Sequence, residues 1–126
     1  MIAEIELAGR LQAGTLDPES FTHRDHLRVA WALLGPMNLP FGEAYGRMRS
    51  GLIALAGDAY SETLTLAWMA LVHEELARTG ERRDFDRFLA AAGERLGRDA
   101  LASRYGPAGL SSPAAKAGLV LPGACP

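Results

Sequence analysis

The sequence predicts an all-α fold, a compact single-domain bundle of five or six helices spanning residues 1–126. Three observations predict it. Apolar residues recur at helical spacing along the chain, and no stretch alternates apolar with polar residues as a half-buried strand does. Glycine and proline cut the chain into helix-sized pieces at Gly14, Gly35-Pro36, Pro40, Gly57, Gly80, Gly97, Gly106-Pro107 and Pro113. Of the 126 residues, 48% are apolar and 22% charged, which is enough for a buried core under a solvated surface.

The first helix runs from about Ala3 to Gln12, with Ile5, Leu7, Ala8 and Leu11 near one side. The second follows Asp17-Pro18-Glu19-Ser20 and runs from Thr22 to about Leu34, where Gly35-Pro36 stops it. Thr22-x-x-Asp25 resembles a capping box with Asp in place of Glu. The third opens near Pro40, a residue suited to a first turn, and reaches about Ala56. The fourth carries the clearest signals: Ser61 as N-cap, Glu62 in the first turn, and an apolar pattern to Arg78 ahead of Gly80. The fifth starts at Asp84 or Asp86 and continues to about Leu96. A sixth spans roughly Asp99 to Tyr105, and Ser112 to Lys116 has the makings of one more turn. From about residue 111 the tail is expected to be loosely structured. Trp31, Trp68, Phe21, Phe41, Phe85 and Phe88 read as core, Met48 and Met69 as gap fillers, and the charged stretch Arg78 to Arg87 as a solvated connection.

Composition narrows the function classes. The net charge of −2 gives no basic surplus to neutralise phosphates, so nucleic acid is not an expected partner. The single cysteine, Cys125, has no internal partner and implies no oxidising compartment. The start of the chain, Met1 to Glu6, is acidic where a signal peptide is basic, and the apolar runs are too short for a membrane span of roughly 20 residues. A cytoplasmic protein is expected by elimination.

Reactive side chains concentrate in two places. His23 and His26 lie three apart, on adjacent positions of one side of the second helix that continues through Leu27, Ala30, Leu33 and Leu34. Both rings are therefore expected to point inward. Two neutral imidazoles suit a divalent transition metal such as zinc, copper or iron, although metal sites normally need a third or fourth ligand. The plainer alternative is a helix start plus one buried hydrogen bond. The second place is Tyr60-Ser61-Glu62-Thr63, which opens the fourth helix. Glu62 is a candidate general base or added ligand, and Tyr60 and Ser61 supply hydroxyls. Adjacent helix starts would unite the two clusters; a capped helix start accounts for Ser61 and Glu62 equally well. His73 lies eleven residues beyond Glu62, about 16 Å along the helix, and belongs to no such site.

Phe21-Thr22-His23-Arg24-Asp25-His26-Leu27-Arg28-Val29-Ala30-Trp31, Tyr60-Ser61-Glu62-Thr63-Leu64-Thr65, and the stretch from Tyr105 through Leu110-Ser111-Ser112, Ala115-Lys116 and Val120-Leu121-Pro122 occur in that order. Together they resemble a small bacterial family of helical proteins without an established activity. In that family the second motif reads Tyr-His-Glu-Thr, so Ser61 stands where the resemblance implies a third histidine. Lys116 and Gly123 likewise stand where it implies Arg and Asp. The resemblance implies a metal set of two histidines, a third histidine and a glutamate.

The resulting expectation is a small-molecule-binding or metal-dependent protein, enzymatic or accessory to a small-molecule pathway. Its metal ligands would be His23, His26 and Glu62, with Glu62 and His26 catalytic if there is a reaction. Tyr60, Ser61, Thr65, Trp31 and Trp68 would line the ligand. The competing expectation is a metal-free helical interaction module, with self-association to a homodimer open.

Overall fold

In the computed structural model, residues 3–105 and 110–120 are described. Cys125, Gly106-Pro107 and the end of the third motif lie outside them. The described residues are helical with turns and contain no strand: α1 (Ala3–Ala13), α2 (His23–Leu34), α3 (Phe41–Ala56), α4 (Glu62–Thr79), α5 (Phe85–Ala92), α6 (Ala102–Tyr105) and α7 (Pro113–Ala117). No helix among them is long and apolar enough to cross a membrane.

Local chemistry sets the helix ends. Thr22 and Asp25 form the reciprocal capping box, each side chain taking the other's backbone N–H at 3.1 Å. Ser61 caps α4 by accepting from Leu64 N, and Asp84 caps α5 by accepting from Arg87 N. Gly80 ends α4 in the left-handed conformation (φ 68°), which a side chain would oppose. The fifth helix stops earlier than its pattern suggested. Gly93 takes φ 58° after Ala92, and residues 93–96 tighten into a 3-10 turn.

α2 and α4 pack together at the centre, with α1 and α3 against α2, and α5 and α7 against α4. The shared core includes Trp31, Met48, Met69, Val72, Phe85 and Phe88. Phe21 and Phe41 pack on it only partly buried. α1 crosses α3 at Gly51, where an added Cβ would lie 2.6 Å from Leu11 Cγ. Gly51→Ala is therefore expected to destabilise by about 1–3 kcal/mol through overpacking. Thermal melting of the variant checks this, and an unchanged midpoint would show that Leu11 has room to yield.

Two sequence expectations are corrected. The connection after α4 is docked. Trp31 Nε1 donates to Glu81 O (2.9 Å), and Arg82 Nη1 donates to Leu34 O (3.0 Å) and Gly35 O (3.2 Å), satisfying carbonyls at the end of α2. Arg78 likewise pairs with the buried Glu75 carboxylate (2.6 Å) and donates to Ala91 O (2.8 Å), joining α4 to α5. Nor is the segment after residue 111 loose as far as residue 120. α7 is capped by Ser112 and fixed to the first turn of α4.

Candidate functional site

The two histidines do point inward. His23 opens α2, and its Nε2–H donates to Leu96 O (3.0 Å), which fixes the proton on that nitrogen because a carbonyl can only accept. The ring meets Trp68 edge-on at 4.6 Å between centroids. His26 lies one turn further, beside Phe21. Part of the residue reaches the surface, but its Nε2 is buried and has no hydrogen-bond partner among the described residues. Burial, and secondarily the neighbouring His23, lowers its pKa from 6.5 to about 4. It is a neutral imidazole at physiological pH, with one nitrogen unsatisfied.

Glu62 belongs to a different cluster. Arg49 Nε donates to both its carboxylate oxygens (2.9 and 3.0 Å), and the Tyr60 hydroxyl donates to one of them. Tyr45 of α3 also acts on the carboxylate. Burial would raise the pKa of Glu62, but the bonds from Tyr60 and Arg49, with the influence of Tyr45, outweigh it and hold the group below 4.5. Burial and the bond to Glu62 push the Tyr60 phenol in the opposite direction, upward. A carboxylate held this way is a poor proton acceptor, which argues against Glu62 as a general base.

The two clusters meet different parts of α4. Trp68, which touches His23, lies six residues beyond Glu62. That is about 9 Å along the axis and roughly 120° around it. Glu62 instead faces Tyr45 and Arg49 of α3. Among the described residues, no group of three or more His, Cys, Asp or Glu side chains is placed to hold a metal ion. The ligand set His23, His26 and Glu62 is thus not assembled.

Several other expected site residues are occupied structurally. Ser61, where the resemblance implies a histidine, accepts from Leu64 N (3.3 Å) and donates to Ala115 O (3.4 Å) while almost wholly buried. Thr65 is buried, with its hydroxyl on Ser61 O (2.9 Å). Trp31 is a core ring between Phe85 and Phe88. Trp68 is buried against His23. His73 is exposed, edge-on to Phe41 at 5.4 Å.

A recess that sequence reasoning did not anticipate lies on another face of α4. It is an apolar groove of about 370 Å³ between Phe41 at the start of α3, Ala67, Ala70 and Leu71 of α4, Leu101 and Tyr105 around α6, and Leu119. The two alanines leave the space that larger side chains would fill. Glu74 and Arg104 border it, neither side chain in an ion pair or hydrogen bond among the described residues. Burial raises the Tyr105 pKa, which keeps that phenol protonated. The sequence signal was the i, i+3, i+4 set Ala67, Ala70 and Leu71, which reads as core until its facing partners are known.

Comparison of the chain with family models, with curated proteins and with solved structures finds no match.

Proposed function

We propose that this protein binds a small molecule without a metal, and that the ligand is an apolar body with one polar or anionic group seated in the groove between α3, α4 and α6. The groove itself carries the reading. Its volume of about 370 Å³ lies in the range of small-molecule sites, which are mainly apolar with a few polar groups fixing orientation. Leu71, Leu101 and Phe41 supply the apolar wall, while the Tyr105 hydroxyl and the Arg104 guanidinium, unpaired among the described residues, supply the polar contacts. The metal-free form is favoured because Glu62 is held by Arg49 and the tyrosines, away from the histidines.

A suitable probe is 8-anilinonaphthalene-1-sulfonate, an apolar anion whose fluorescence rises out of water. The protein is expected to bind it saturably. Ala70→Trp, at an exposed position on the groove floor, is expected to weaken that binding about tenfold or more with folding intact. Non-saturable binding, or equal affinity in the variant, would sink the reading.

A second reading is favoured by one observation, the unpartnered buried Nε2 of His26. In it the ligand supplies that nitrogen's missing partner, and His26→Leu abolishes a ligand response that Ala70→Trp leaves intact.

A further inference from the structure

We infer that Thr63 is the positioning residue of this groove: its hydroxyl fixes Leu119 as one wall, so that filling the groove and docking residues 118–120 are coupled. The inference rests on the groove being the ligand site and adds the means by which the site is held together.

Thr63 is fully buried in the first turn of α4. Helical threonines commonly return the hydroxyl to a carbonyl of their own helix. Thr65 does this with Ser61 O, and Thr79 does it with Glu75 O at 2.8 Å. Thr63 does not. Its Oγ1 donates to Gly118 O at 2.7 Å and accepts from Val120 N at 3.0 Å. One hydroxyl thus grips the backbone on both sides of Leu119. Ser61, donating to Ala115 O, supports the same segment one turn earlier, and Ala115 is fully buried.

Leu119 lines the groove yet remains 49% exposed. Its apolar burial is only partial, and the polar clamp on either side supplies the rest of what holds it there. A ligand in the groove would cover Leu119 and supply the missing apolar contact. By thermodynamic reciprocity, a docked segment then binds the ligand more tightly, and a bound ligand protects the segment.

The test uses the same sulfonate probe and hydrogen exchange at the Val120 amide. Thr63→Val keeps nearly the same shape and removes the hydroxyl, whereas Thr63→Ser retains it. Thr63→Val is expected to weaken probe binding roughly tenfold, the equivalent of about one hydrogen bond, and to lose Val120 protection. Thr63→Ser is expected to keep both. In the parent protein, the probe should slow Val120 exchange. A stability role alone would lower the melting temperature of Thr63→Val without changing its affinity, and that result would overturn the inference while leaving the groove reading intact. Should Thr63→Val fail to fold, Leu119→Asn at its exposed position is expected to weaken the probe, and equal binding would overturn the inference by itself. If the parent does not bind, or binds regardless of Ala70→Trp, the groove reading falls and this inference with it.

Discussion

Trp31→Ala is expected to lower unfolding stability by about 3–5 kcal/mol, a large share of the 5–15 kcal/mol typical of a domain. The indole is completely inaccessible to solvent. It meets Phe85 in an edge contact at 5.7 Å and Phe88 at 6.4 Å. Truncation leaves a cavity where α2 meets α5, and the rings around it are large and tightly held. It also removes the hydrogen bond from Nε1 to Glu81 O, one of the ties between the end of α2 and the connection after α4. Trp31→Phe separates the two effects. It restores much of the ring packing but leaves Glu81 O without its donor, so its cost should fall well below that of alanine. Urea unfolding followed by circular dichroism gives both values, with Glu94→Ala, an exposed position, as the reference. If Trp31→Ala cost no more than the reference, the central position assigned to Trp31 would be untenable.

Those same contacts show where the sequence was informative. Thr22, Asp25, Ser61 and Gly80 act on backbone groups within a few residues, so their roles as caps and stops were readable from local order. The inward orientation of His23 and His26 followed from the apolar side they share with Leu27 and Ala30. Partnerships across the bundle were not readable. Glu62 looked free to join the histidines because its ion-pair partner, Arg49, comes from another helix, and the neighbouring Tyr60 does not announce itself as a donor to it. Arg82 resembled a solvated charge because the carbonyls it caps lie 48 and 47 residues earlier. The groove depends on alanines meeting a facing segment, and Thr63 reaches Gly118 across 55 residues. What decides the candidate site is contact at long sequence separation, and a helical periodicity does not encode it.

Acidification from pH 6.5 toward 4.5 is expected to destabilise the protein, and His26→Leu is expected to remove most of that loss. The sign follows from burial. The His26 pKa falls from 6.5 to about 4 on folding, so between these values the unfolded chain binds a proton that the folded chain refuses. Stability is full above pH 6.5 and declines as pH drops through the window, by up to roughly 3 kcal/mol when pH has fallen to the folded pKa. Carboxylates do not account for the upper part of this window. Glu62 and Asp25 are held below 4.5 and 3.8, their hydrogen bonds outweighing burial, so their contributions are present above those values and are lost only at lower pH. The substitution also separates the two roles open to His26. If Nε2 is simply an unsatisfied buried nitrogen, leucine relieves a penalty of about 1–3 kcal/mol, and the variant should be as stable as the parent or more so at pH 7. If that nitrogen serves a ligand, the variant should still be stable but should lose the ligand's effect on the melting temperature. Denaturant unfolding of parent and variant at pH 7.5, 6 and 5 measures both effects. Parallel losses in the two proteins would show that His26 is not the group resisting protonation.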